Sequence, residues 1–102
     1  MNEVEFKNWS TEKGKNRKVI IDTISRLKRI ERECNHCDLD EEYHNDRCEN
    51  LLSAFLHRGE NDIMKSFKQT SLPIGKSHIC TYRYALKQYV MFMDEQATSK
   101  KK

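Results

Sequence analysis

Between Arg17 and Cys34 the apolar residues Ile20, Ile24, Leu27, Ile30 and Cys34 recur every three or four positions, the repeat that gathers them on one face of an α-helix. Val19 and Ile21 widen the stripe at its start, and Asn16 stands where an N-cap accepts a free backbone N–H. The repeat returns near the C-terminus. There Ile79, Tyr82, Leu86, Tyr89 and Met93 form a seam, with Ala85, Val90 and Phe92 beside it. This predicts a long helix from a Ser77 cap to about Gln96, followed by a frayed basic tail over 97–102. Three shorter blocks complete the pattern. Val4, Phe6 and Trp9 anchor a first helix over Glu3–Glu12, which Gly14-Lys15-Asn16 ends. Residues 35–40 read as a loop. Asp40 is the expected cap of a third helix, and Glu41 and Glu42 in its first turn suit the positive end of the helix dipole. Tyr43, Cys48, Leu51, Leu52, Phe55 and Leu56 supply its buried side, and Gly59 stops it. A short fourth helix, about Asn61 to Thr70, holds Ile63, Met64 and Phe67, before the break at Ser71-Leu72-Pro73-Ile74-Gly75.

The expected fold is therefore all-α: one compact bundle of four to five helices, with the second, third and fifth supplying most of the core. Composition agrees. The chain has 102 residues, enough for one domain with one modest core. A single Pro and three Gly leave few positions for the tight turns of a β fold. No apolar run approaches the roughly 18 residues of a membrane span, and the acidic start Met1-Asn2-Glu3-Val4-Glu5 is unlike a signal peptide. These features point to an intracellular, reducing compartment, where the four cysteines are expected as free thiols.

The formal net charge is only +3, but it is segregated. Lys13, Lys15, Arg17, Lys18, Arg26, Lys28, Arg29 and Arg32 face only Asp22 and Glu31 over the second helix. Glu33, Asp38, Asp40, Glu41, Glu42, Asp46 and Glu49 then make the third acidic, with Arg47 alone opposing them. From Ile63 to Met93 the only charged residues are Lys65, Lys68, Lys76, Arg83 and Lys87. Basic second and fifth helices suit a phosphate-binding side. Lys18, Arg26 and Arg29 are the expected contacts on one helix. Lys76, Ser77, His78, Arg83 and Lys87 are those on the other, where free N–H groups at the helix start also favour an anion. The plainer alternative is that these cations only solvate the outer faces of amphipathic helices.

Three patches resemble the SAM-like, core-binding-type domain of tyrosine recombinases and phage integrases, a module also attached to some restriction-type and HNH nucleases. They are Phe6-Lys7-Asn8-Trp9, then Val19 to Glu33 with Ser25-Arg26-Leu27-Lys28-Arg29-Ile30-Glu31, and then Ser77 to Phe92 with its Tyr82-Arg83-Tyr84-Ala85-Leu86 core. Asp38-Leu39-Asp40-Glu41-Glu42-Tyr43 is more similar to the nuclease-associated variety. The resemblance spans about residues 4–94. It implies a non-catalytic module that clamps double-stranded DNA through backbone contacts, while a catalytic domain in the same or another chain performs recombination or restriction. The recombinase catalytic set belongs to a much larger domain. His44-Asn45-Asp46-Arg47 matches its bare His-x-x-Arg string, but lies in the acidic helix without that domain and reads as coincidence.

Cys34-Asn35-His36-Cys37, His44 and Cys48 offer four donors to a tetrahedral ion such as zinc. The spacing is looser than a zinc knuckle's and the glycines are missing. Cys34 and Cys48 are therefore expected as small buried apolar residues, and no metal or other cofactor is expected. No βαβ pattern surrounds the Cys-x-x-Cys, no glycine-rich loop could cradle a phosphate, and no serine elbow is present. The expected activity is thus non-enzymatic, with no small-molecule substrate. The rival class is a protein–protein interaction module or small phage-encoded inhibitor, with Tyr84, Met91 and the acidic helix as contact surface.

Overall fold

The computed structural model describes residues 1–34, 37–67 and 72–99. The order is α1 (Glu3–Glu12), α2 (Arg17–Glu33), α3 (Leu39–Asp46), α4 (Glu49–Ala54), a 3₁₀ turn (Leu56–Gly59), α5 (Asp62–Lys65), a second 3₁₀ turn (Ser77–Ile79) and α6 (Cys80–Ser99). No strand occurs among the described residues, so the all-α bundle expected from the apolar spacing is the architecture. No helix among these residues is long and apolar enough to cross a membrane.

The two strongest repeats make the central pair, α2 packed on α6. Asn16 caps α2 as its side chain dictates, its Oδ1 accepting from the Lys18 N–H at 2.8 Å. Leu27 and Ile30 of α2 and Leu86 and Tyr89 of α6 are wholly shielded from solvent. α1 closes the other side with aromatic rings: Phe6 lies 5.4 Å from Tyr89 and 5.5 Å, edge-on, from Phe92, and Trp9 lies 5.8 Å from Phe92. Burying a ring of this size contributes about 3–5 kcal/mol relative to alanine. Not every apolar residue joins. Val4, Val19 and Ile21 stay outside the core, at 69%, 46% and 47% exposure.

The expected third helix is two. Arg47 and Cys48 both take left-handed backbone angles, φ 57° and 61°, and the chain turns between α3 and α4. Asp38, not Asp40, caps α3. The turn is held by specific bonds: the Asp46 carboxylate accepts from the Asn50 N–H at 3.1 Å, and the buried Cys48 thiol faces the Leu39 carbonyl at 3.7 Å. α4 stops at Ala54, and Leu56 is exposed rather than buried. The Asn61 side-chain NH₂ then donates to the Ala54 and Leu56 carbonyls at 2.9 and 2.8 Å, filling acceptors that a helix end leaves open. Its oxygen accepts from Met64 N–H at 2.9 Å, capping α5. The expected fourth helix is thus one described turn, and residues 68–71 lie outside the description.

At the other end α6 opens through a 3₁₀ turn. Lys76, rather than Ser77, occupies the cap position, and no side chain caps it. The helix runs on to Ser99, past the Gln96 end expected from the apolar pattern. Asp94 fastens α3 to it, accepting from Tyr43 Oη at 2.5 Å and from Arg47 Nε and Nη2 at 3.1 and 2.6 Å. The chain start is tied in as well. The Met1 ammonium meets Glu31 at 3.1 Å and Asp38 at 2.8 Å, and the Asn2 N–H donates to Tyr89 Oη at 2.7 Å. That hydroxyl in turn donates to Asp40.

Candidate nucleic-acid interface

The cations divide by whether a carboxylate neutralises them. Lys13 pairs with Glu95 at 2.9 Å, Lys28 with Glu3 at 2.6 Å, Arg32 with Glu33 at 3.6 Å and Arg47 with Asp94 at 2.6 Å. Lys18, Arg26, Lys76, Arg83 and Lys87 have no ion pair or side-chain hydrogen bond among the described residues. Those five, with Arg29, are the Lys and Arg contacts that the charge pattern names; Lys7, Arg17, Arg58 and Lys65 likewise have no ion pair or side-chain hydrogen bond among the described residues. On α6 the acids, Asp94 and Glu95, come only at the far end and are already engaged; on α2, Asp22 stands four residues from both Lys18 and Arg26 and pairs with neither.

The individual positions differ in kind. Lys18 on α2 and Lys76, Ser77, His78 and Lys87 around α6 are exposed. Arg26 is half-buried. Arg29 is also half-buried and spans the helix pair: Nη1 donates to Tyr82 Oη at 2.9 Å, with the guanidinium 5.8 Å from the ring centre. It braces α2 on α6, and guanidinium's five N–H donors allow further contacts from there. Arg83 follows Tyr82 on α6 and is half-buried, with Nε shut off from solvent and without an acceptor among the described residues. Arg83 and Lys87, four residues apart, share one side of α6.

Three residues near this surface, Lys15, His57 and Arg58, are not among the contacts that the charge pattern names. Lys15 reaches Tyr84 Oη at 3.5 Å and brings the α1–α2 loop to the outer side of α6. His57 and Arg58 are both exposed on the turn Leu56–Gly59, which packs against the turn Ser77–Ile79. The only local signal was the glycine that follows them.

Three of the four thiols lie by acidic α3, while Cys80 is exposed at the start of α6. Cys34 and Cys48 are buried and Cys37 is half-buried beside an open hollow that Cys34, Cys37, Asp38, Glu41 and Glu42 line. Burial, with nearby negative groups adding to it, pushes all three thiols up to about 12. They stand protonated at neutral pH, so a metal would have to displace a proton from each. His44 is exposed on α3 and packs edge-on against Tyr43. Among the described residues no group of three or more His, Cys, Asp or Glu side chains converges into a metal-binding set. His36 lies outside them. No protein-family model, curated protein or solved structure matches the chain.

Proposed function

We propose that this protein is a non-catalytic module that binds double-stranded DNA through its phosphates, on the surface that α2 and the start of α6 share. The observation that carries the reading is the unneutralised set Lys18, Arg26, Lys76, Arg83 and Lys87. Lys13, Lys28, Arg32 and Arg47 on the same small molecule are matched to carboxylates, whereas Lys7, Arg17, Arg58 and Lys65 are not, so the weight falls on where the five sit, on α2 and around the start of α6. Arg83 states the point most sharply. Taking part of a guanidinium out of water without a counter-charge is costly, and a phosphate oxygen is the ligand whose geometry a guanidinium fits best. Lys76, Ser77 and His78 add one cation, two further exposed hydrogen-bonding side chains and an uncapped helix start. Contacts of this kind fix position on the duplex without reading its sequence. The likeness to the core-binding domains of recombinases and to nuclease-attached modules supports the same role, with chemistry left to another domain.

The deciding experiment is duplex binding by fluorescence anisotropy across a salt series. Binding through several phosphates weakens steeply as salt rises. Arg83→Glu with Lys87→Glu abolishes it. Because Arg83 is half-buried, this pair costs more stability than the ±0.5 kcal/mol or so of a surface change. Lys18→Glu with Lys87→Glu, both exposed, therefore serves as the clean companion and must weaken binding while the melting temperature holds.

One observation favours a second reading, a protein-interaction module. Tyr84 and Met91 are each 50% exposed on the outer side of α6, and Val19 is 46% exposed on α2. A parent protein with no salt-sensitive affinity for any duplex would give this reading precedence.

A further inference from the structure

The turn after α4 holds the longest run of left-handed backbone among the described residues. His57 has φ 54° and ψ 40°, Arg58 φ 59° and ψ 26°, and Gly59 φ 81°. Three consecutive left-handed residues make almost a full left-handed turn, and two of them carry a Cβ that disfavours it. Glycine would adopt this shape freely, yet the chain has His and Arg there. The turn is also fixed in place. The Arg58 carbonyl accepts from Gly75 N–H at 2.7 Å, and the His57 carbonyl from Glu60 N–H at 3.0 Å. At Gly59 a Cβ would come within 2.8 Å of Ile79 Cδ1, so the backbone lies flat on the residue that leads into α6. Both strained side chains are exposed, and neither has a partner among the described residues.

Strain of this kind survives where the surrounding structure enforces it, and it gathers at binding and switch segments. Here the enforcing contacts come from the strand of chain that carries Lys76, Ser77 and His78. We propose that His57 and Arg58 form, with Lys76 and His78, a second phosphate-gripping patch, which extends the duplex-binding surface around the start of α6. This inference rests on the duplex-binding reading above. The Glu60 carboxylate lies beside Gly75, next to the patch, and among the described residues forms no ion pair with Arg58, Lys76 or His78.

The test exploits the opposite demands of shape and charge. Arg58→Gly removes the cation and relieves the left-handed residue, so the melting temperature stays level or rises. Its affinity for a short random duplex falls about eightfold at ~0.1 M salt, and the salt slope flattens by about 0.9, the effect of one lost phosphate contact. Arg58→Lys, equally strained and still cationic, binds like the parent. Arg58→Gln carries the measurement if the glycine variant misfolds. If Arg58→Gly binds like the parent while Lys87→Glu weakens binding, the turn lies off the surface and the duplex reading stands. If the parent binds no duplex in a salt-dependent way, both fall together.

Discussion

Two side chains of α6 fasten neighbouring segments to it, and each has a measurable signature. Tyr89 is wholly buried, and its hydroxyl links the Asn2 N–H to Asp40. Tyr89→Phe strands a backbone donor and costs about 1–3 kcal/mol, read by denaturant unfolding. Asp94 holds α3 on α6. The Arg47 guanidinium lowers its carboxyl below the ordinary range; burial works against this and the Tyr43 hydroxyl adds to it. A carboxyl depressed in the folded state contributes stability above its unfolded value, near 3.9, and loses it as pH falls through the folded one. The melting temperature therefore drops below about pH 4, and drops less in Asp94→Asn, whose parent value is already reduced. The Met1 ammonium behaves in mirror image. Desolvation lowers its pKa, but hydrogen bonds to Asp38 and Glu31 outweigh this and raise it above 8.0. Its contribution is full below that point and fades as pH climbs through the raised value.

At the level of elements, α2 and α6 were legible because burial on one side forces a three- and four-residue repeat. The break between α3 and α4 was not. It turns on Arg47 and Cys48, and the turn before α5 on His57 and Arg58, all left-handed without glycine. Nothing in a residue's identity signals a conformation that tertiary bonds impose on it, here through Asp94, Asp46 and Gly75. The start of α6 was misjudged for a related reason. Ser77 is a good cap by type, but the cap position falls on Lys76. Of the site, the unpaired cations on α2 and α6 were legible from charge spacing, whereas Arg29 as a brace to Tyr82 required the folded pair. The Lys76 position yields a prediction with two opposed readouts. Lys76→Asp supplies the missing cap and stabilises the fold by about 1 kcal/mol, seen in thermal unfolding. The same change weakens duplex binding, seen in anisotropy.

Across the whole molecule, charge is sorted along α6. Tyr43 and Arg47 bind Asp94 and so hold acidic α3 near the C-terminal part of that helix. Lys76, His78 and the adjoining Arg58 occupy its start. Glu41→Lys with Glu42→Lys, on the acidic helix, is expected to leave duplex affinity unchanged or raise it, with a larger effect at low salt. A loss of affinity in that variant would place the contact surface on α3.

Over the described residues that sorting runs parallel to the peptide dipoles of the longest helix, while Lys100, Lys101 and Lys102 follow its last residue in the sequence with three opposing charges. Twenty residues of α6 span about 30 Å, several times the distance over which ions at physiological strength blur a charge. On the duplex-binding reading the two ends are therefore sensed separately, each through its own charges. The association rate, measured by stopped flow, should fall with added salt more steeply than the net charge of +3 alone accounts for.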